Sequence, residues 1–301
     1  MTKRRFLFAG SSHPDLARQI CLSGEVTLGR LEIRTFPDGE TSVQVLEDVR
    51  GEDVFVLQSV VRNPNHYLME LLIILDALKR SAAKSITVII PYFGYCRQDR
   101  RDRLGVPITA KLVAGLLEKA GMSFLITFDL HADQAEGFFE VPVEHLRAQK
   151  LLSKAASEHL GKDAIVVAPD VGSTKIAERM AKLLGVHLAV MKKVRLSPSE
   201  VSMTLIGSVK GKNVLIIDDL CSTGGTLVTA AELCKKEGAN RVIAAVTHAL
   251  FIGDSKKKIE SSDLDRFFFT DTIPEENLLL DRTRMEIVPV ASMLRESILI
   301  R

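Results

Sequence analysis

Short runs of β-prone apolar residues recur along this chain, and most are followed by stretches whose apolar positions repeat every three or four residues. Phe6–Ala9, Val54–Gln58, Ile86–Pro91, Phe124–Asp129, Ile165–Ala168, Val214–Ile217 and Val242–Val246 read as strands. Tyr67–Lys79, Thr109–Ala120, Lys175–Leu184 and Leu227–Lys236 read as helices. Alternation of this kind builds βαβ units, so the expected fold class is α/β, with mainly parallel sheets flanked by helices. At 301 residues the chain is long for one domain and ample for two cores.

The pattern also repeats. Thr109–Ala132 aligns without gaps on Thr226–Ala249, with identities at Thr109/Thr226, Leu116/Leu233, Lys119/Lys236, Gly121/Gly238, Ile126/Ile243, His131/His248 and Ala132/Ala249. Ile86–Pro91 stands upstream of the first copy as Val214–Ile217 stands upstream of the second. A Thr, a Gly and a His-Ala at equal spacing favour two tandem copies of one α/β domain. The boundary is expected near Val143–Ala148, giving domains 1–146 and 147–301. An amphipathic C-terminal helix over 290–299 is expected to pack back on one of them, the first being the candidate.

Candidate chemistry concentrates in residues 214–226, Val-Leu-Ile-Ile-Asp-Asp-Leu-Cys-Ser-Thr-Gly-Gly-Thr. Four apolar residues lead into two carboxylates, then into a small-residue turn before a helix, the arrangement of a buried parallel strand ending at a phosphate-sized loop. Asp218 and Asp219 can face a ribose diol or a metal ion. Ser222, Thr223 and Thr226 offer hydroxyls, and Gly224 and Gly225 let backbone N–H groups approach a phosphate.

Other segments follow strands in the same way. Pro91–Asp102 lies at a strand's carboxyl end, where α/β sheets bind ligands, and its Arg97 and Gln98 suit a nucleotide's phosphates or base. Asp129 and His131, two apart, are expected on one face of a strand end, where a carboxylate and an imidazole suit Mg²⁺–phosphate chemistry directly or through water. His248 is expected to be a structural counterpart in the second copy. Asp170, in Ala168–Ser173, repeats the strand-then-acid pattern. Lys192, Lys193 and Arg195 open a polar segment over 196–202, which reads either as a cationic loop over transferring phosphates or as a charged surface hairpin. Thr35–Glu40 is a turn signal with acids and an aromatic.

Composition narrows the class. Hydrophobic residues make up 46%, charged residues 26%, and the formal net charge is +2, which gives no whole-chain case for nucleic-acid binding. Trp is absent and aromatics are 5%, which argues against base-stacking platforms. No apolar run reaches the roughly 18 residues of a membrane span. The basic start, Met1 to Arg5, leads only into Phe6–Ala9, too short for a signal peptide. Cys21, Cys96, Cys221 and Cys234 show no metal-site spacing and are expected as reduced thiols in a cytoplasmic protein. Neither a P-loop nor a protein-kinase signature is present, so a nucleotide would be held some other way.

Together these segments resemble the ribose-phosphate diphosphokinase (phosphoribosyl pyrophosphate synthetase) family over essentially the whole chain. The resemblance rests on FPDGE (36–40), LMELLIILDALKR (68–80), PYFGYCRQDR (91–100), PITAKL (107–112), DLHADQAEGFF (129–139), PDVG (169–172), KKVR (192–195) and DDLCSTGGT (218–226). It implies two tandem phosphoribosyltransferase-type domains and Mg²⁺-dependent transfer of the diphosphoryl group of ATP to the C1 hydroxyl of ribose 5-phosphate. Phosphoribosyl diphosphate and AMP would be the products. Carried over by position, Phe36, Asp38, Gly39 and Glu40 line an ATP site supplied by a neighbouring subunit of a homo-oligomer, and Arg97 and Gln98 also hold ATP. His131 and Asp170 match the magnesium positions, Lys193 the catalytic lysine and Arg195 the arginine beside it. Asp218 and Asp219 with Ser222, Thr223, Gly224, Gly225 and Thr226 match the ribose-5-phosphate site.

Three departures from the family stand out. The usual Lys-Arg-Arg reads Lys193-Val194-Arg195, and Ser222 stands where many members carry Asp. The chain closes at Leu299-Ile300-Arg301 where longer members continue into a tail of their regulatory site; Arg50 of that site is present, but inhibition by ADP at a separate site is not expected. Two other classes compete with the enzyme: a non-catalytic regulatory relative, which would be expected to lose the residues retained here, and a phosphoribosyltransferase that consumes the activated sugar, which needs only one domain.

Overall fold

The computed structural model describes residues 5–195, 201–275, 281 and 283–301, with the side chains of 193–195, 201 and 202 outside that description. The chain divides into two compact units, the first formed by 1–146 with 272–274 and 290–301, the second by 147–271 with 275–289.

In chain order the first unit contains β1 (Phe6–Ala9), α1 (Pro14–Cys21), β2 (Thr27–Gly29), β3 (Leu31–Thr35), β4 (Thr41–Val45), β5 (Asp53–Leu57), α2 (Pro64–Arg80), β6 (Ser85–Ile90), α3 (Thr109–Ala120), β7 (Phe124–Phe128) and β8 (Val143–Leu146). The second contains α4 (Gln149–Leu160), β9 (Ala164–Ala168), α5 (Thr174–Leu184), β10 (His187–Arg195), β11 (Val201–Ile206), β12 (Asn213–Cys221), α6 (Gly225–Lys236), β13 (Arg241–Ala249), α7 (Ser255–Glu260), β14 (Arg266–Thr270) and β15 (Met285–Val288). The last helix, α8 (Ala291–Leu299), belongs to the first unit.

The first sheet runs β2-β1-β5-β6-β7-β8, parallel throughout. Val54–Leu57 and Ile86–Ile90 are buried without interruption, because helices cover both faces of a parallel sheet and leave no solvent side for polar residues to alternate onto. α8 packs against α1, and the Ser297 hydroxyl donates to Glu144 Oε1 at 2.8 Å. Arg301 pairs with the same carboxylate and lies over the Phe124 ring, its guanidinium carbon 3.6 Å from the centroid. β3 and β4 form a separate two-stranded antiparallel arm whose tip is the 36–40 turn.

The second sheet runs β11-β10-β9-β12-β13-β14-β15 and is parallel except for the β10–β11 hairpin. The strand run β5-β6-β7-β8 of the first unit has the order of β9-β12-β13-β14 in the second. The repeated glycines have a geometric reason. Gly121 and Gly238 take φ of 128° and 84° where α3 and α6 end. The following residues close the helices in the same way: Met122 N–H donates to Leu117 O, and Ala239 N–H to Cys234 O, both at 3.0 Å.

Several elements go beyond the strands and helices expected from the pattern. β2, β8 and β15 are three or four residues long and lie at sheet edges, so they carry few apolar positions. α1 buries only Leu16, Ala17 and Ile20, and Asp15, Arg18 and Gln19 make up most of its other face.

Candidate functional site

In the second unit the carboxyl ends of β9 and β12 assemble one cluster. β9 pairs with β12 only as far as Val167 opposite Ile216, whereas β12 continues through Asp218 and Asp219 to Cys221 beside β13. The acid pair therefore sits within the strand, which corrects the expectation that the strand stops before it. The carboxylates still clear the end of β9, because that neighbour is shorter. Asp170 follows β9 and is exposed; its Oδ1 accepts the Ser173 N–H at 2.9 Å and the Ser173 hydroxyl at 3.2 Å, which shapes the turn into α5.

Burial pushes the Asp218 carboxyl well above the usual aspartate range; the charge of Asp219, a hydrogen bond to its side chain and the charge of Asp170 push the same way. The Asp219 N–H, donating to Asp218 Oδ1 at 2.9 Å, opposes them. Three carboxylates thus concentrate negative charge that a cation or a diol's hydroxyls would relieve. Among the described residues no three His, Cys, Asp or Glu groups are disposed to hold a metal ion by themselves. An ion such as Mg²⁺ takes one or two carboxylates and completes its shell with water and substrate phosphates, so carboxylates of this kind fit it without a protein cage.

The loop after β12 is open. Gly224 takes φ of 78° before α6, Thr223, Gly225 and Thr226 are exposed, and no side chain caps the helix. Its first-turn N–H groups, which have no partners within a helix, point where an anion would sit. A Cβ on Gly225 would meet nothing nearer than the Thr223 hydroxyl at 3.9 Å, so the space above the loop is available to a ligand. Leu250 N–H to Cys221 O at 2.8 Å and Ile252 N–H to Ser222 O at 3.0 Å hold the base of the loop. Burial, then the Asp218 charge, lifts the Cys221 thiol to about 12, so it stays a thiol beside the acids.

In the first unit, Arg97 and Gln98 are exposed after β6. Gln98 Oε1 accepts the Thr109 hydroxyl at 2.6 Å and its backbone carbonyl accepts the Ala110 N–H at 3.2 Å, tying the segment to the start of α3. Gly94 admits no side chain, since a Cβ there would come within 2.4 Å of the Val60 carbonyl oxygen. Phe93 packs edge-on against Phe139 with centroids 5.5 Å apart, which brings the 91–100 segment against the 129–139 segment.

The pairing of Asp129 with His131 on one face does not hold. β7 ends at Phe128, and Asp129 has φ of 28°, so the two-residue alternation of a strand stops before it. Asp129 is buried, at 3% exposure, while His131 is exposed. His248 remains inside β13, opposite Leu220, and is buried. Two residues absent from the sequence reading stand beside the His131 turn. His145 on β8 accepts the Leu130 N–H at Nε2, 2.8 Å away, and its Nδ1 meets the Glu136 carboxylate. Only the alternation in Val143–Leu146 hinted at an edge strand here, and nothing in the spacing linked it to residue 130.

At the tip of the β3–β4 arm, Phe36, Asp38, Gly39 and Glu40 are all exposed, Phe36 at 51%. The turn is closed by Phe36 N–H to Glu40 O and Gly39 N–H to Phe36 O, each 2.8 Å. Lys192, Lys193 and Arg195 lie on β10, in register with Thr204, Met203 and Val201 of β11. These positions form a hairpin strand, while the rest of the expected loop, 196–200, and the Lys193 and Arg195 side chains lie outside the described residues.

Two α/β units, one with a carboxylate pair leading into an open Gly-Gly loop on a helix N-terminus, define a phosphoribosyltransferase-type protein. Residues 5–121 match the N-terminal domain of ribose phosphate pyrophosphokinase, and residues 142–277 match the phosphoribosyl transferase domain. A ribose-phosphate pyrophosphokinase of Nitrosomonas europaea is 45% identical over 97% of this chain and 93% of its own length. One from Campylobacter jejuni is 44% identical over 94% of this chain and 92% of its own. The crystal structure of phosphoribosylpyrophosphate synthetase from Mycobacterium smegmatis superposes with a TM-score of 0.91 at 40% identity, covering 98% of both chains. The chain belongs to the ribose-phosphate pyrophosphokinase family and is an enzyme of that kind; the reading as a non-catalytic regulatory relative is not favoured.

Proposed function

We propose that this enzyme transfers the β,γ-diphosphoryl group of ATP to the C1 hydroxyl of ribose 5-phosphate, releasing AMP. The reading is carried by the open loop after β12 with the acid cluster beside it. Loop N–H groups and hydroxyls of Ser222, Thr223 and Thr226 take the 5-phosphate, and Asp218 and Asp219 accept the ribose hydroxyls. Gly224 and Gly225 supply the turn and the clearance. Arg97 and Gln98 hold the nucleotide in the first unit, while Phe36, Asp38, Gly39 and Glu40 serve the ATP site of a neighbouring subunit in a homo-oligomer.

Magnesium, proposed at His131 and Asp170, would neutralise phosphate charge and polarise the phosphorus under attack. Lys193 and Arg195 stabilise charge building on the transferred group's outer oxygens. In-line displacement needs positioning and such cations but no covalent intermediate. Among the described residues no helix is long and apolar enough to cross a membrane. A cytoplasmic setting without nucleic-acid or membrane partners is part of the same proposal.

Incubation with ATP, Mg²⁺ and ribose 5-phosphate should release AMP only when the sugar phosphate is present. Lys193→Ala should lower turnover about 10²–10³-fold, roughly 3–4 kcal/mol by analogy with loss of one preorganised donor. AMP release independent of ribose 5-phosphate, or near-normal turnover in that variant, would overturn the assignment.

A further inference from the structure

The turn that carries His131 lies beyond the end of a parallel ladder. The last β7–β8 pair is Phe128 opposite Leu146. One backbone bond follows, Asp129 N–H to Leu146 O at 3.1 Å, and the chain then enters positive φ at a buried aspartate. Few non-glycine residues hold that conformation unless their surroundings impose it. The next N–H, of Leu130, donates to the His145 ring rather than to a strand.

That bond fixes the ring's protonation pattern. An Nε2 that accepts a hydrogen bond carries no proton, so the neutral imidazole bears its hydrogen on Nδ1. Nδ1 faces the Glu136 carboxylate, an acceptor that favours this tautomer. The His145 side chain is 4% exposed, so water competes poorly for the bond from Leu130. One ring therefore connects residue 130 with residue 136, on either side of His131. It fastens both ends of the short segment that displays the imidazole to solvent.

We infer that His145 is a positioning residue: with Glu136 setting its tautomer, it holds the Leu130–Glu136 segment so that His131 is presented in one orientation. This rests on the proposal that His131 works on the metal–nucleotide complex. The substitutions His145→Phe, His145→Gln and His131→Ala, each in the full-length enzyme, separate the two ideas. The measurements are kcat, the KM values for ATP and ribose 5-phosphate, Mn²⁺ binding by electron paramagnetic resonance in the presence of ATP, and thermal midpoint.

Phe keeps the bulk of the ring but cannot accept the Leu130 N–H. It should weaken Mn²⁺–ATP binding and lower kcat by about 10–100-fold, the range seen when a ligand's orienting partner is lost. KM for ATP should rise, which loss of folded enzyme would not cause, while KM for ribose 5-phosphate, whose loop lies in the other unit, should stay within about twofold. Gln can place an amide oxygen towards the Leu130 N–H and should recover most of the loss. His131→Ala should be at least as impaired as the Phe variant.

A folded His145→Phe enzyme with normal Mn²⁺ binding and kcat, beside an inactive His131→Ala, would overturn the inference and leave the function standing. Normal turnover of His131→Ala would overturn the His131 assignment, and the inference with it. If the Phe variant does not fold, the Gln variant decides. Wild-type Mn²⁺ binding and kcat in folded Gln enzyme support the bond to Leu130, and Gln enzyme with weak turnover but normal Mn²⁺ binding refutes it.

Discussion

Asp218 carries a stability consequence alongside its proposed role. Its folded-state pKa is raised, first by burial and then by Asp219 and Asp170, so the native protein holds this proton more tightly than the unfolded chain does. That contribution favours folding below the ordinary aspartate value of 3.8 and is lost as pH rises through the folded value. At neutral pH the unfolded chain gains a solvated, ionised carboxylate that the native site disfavours, a burden that Asn would not share. Ligand-free Asp218→Asn should therefore melt above wild type at pH 7, with the gap closing as the buffer approaches the aspartate range. Its KM for ribose 5-phosphate should rise about 10–100-fold, for the loss of a charged hydrogen-bond acceptor. Identical melting at every pH would contradict the electrostatic account. The acids, hydroxyls and glycines of 218–226 were legible in the sequence because one strand-loop-helix passage holds them all. Asp129 with His131 was misread, since a positive φ cannot be seen in a residue's identity. His145 and Glu136 escaped notice because folding joins them to residue 130 across intervals that match no local period.

Between strand and helix, adjacent glycines divide two jobs. Gly224 takes a left-handed φ of 78°, whereas a Cβ there would make only ordinary contact with Ile259 at 3.4 Å. Its requirement is conformational. Gly225 is the first residue of α6 and faces open space, so its requirement is clearance for a ligand. Gly224→Ala should destabilise by about 1–2 kcal/mol, lowering the thermal midpoint by roughly 2–8 °C in a unit of this size. Gly225→Ala should melt at or above wild type, because alanine suits a helix better, while its KM for ribose 5-phosphate rises. Wild-type sugar-phosphate binding by Gly225→Ala would show that the loop is not the phosphate cradle. The central strands announced themselves as unbroken apolar runs, being covered on both faces. Edge strands such as β8 (Val-Glu-His-Leu) are half solvated and polar, and they pass for loop.

For the whole molecule, the arm formed by β3 and β4 poses the largest question. It is a two-stranded sheet of its own, and it ends in an exposed Phe36 beside exposed Asp38 and Glu40. An aromatic at the tip of such an arm has no role in its own unit's core, whereas a purine ring on another subunit would cover it. Two copies of one domain could be read from paired Thr, Gly and His-Ala positions. A contribution from a second chain leaves no such periodic trace, and it rests on the family resemblance together with this exposed tip. Complementation tests it directly. Phe36→Ala and Lys193→Ala, each purified alone, should be weak enzymes, the first through a raised KM for ATP and the second through kcat. If the arm serves a neighbour's site, co-expression with two different tags, followed by capture of mixed oligomers, should restore sites that draw Lys193 from one chain and Phe36 from another. Random assembly makes about a quarter of sites whole, which sets the expected recovery in rate at low ATP. Separately purified variants mixed under conditions that block subunit exchange should show only the average activity of their parents. Mixed oligomers no more active than the average of their parents would mean that arm and lysine act within a single chain, and the shared site would fall.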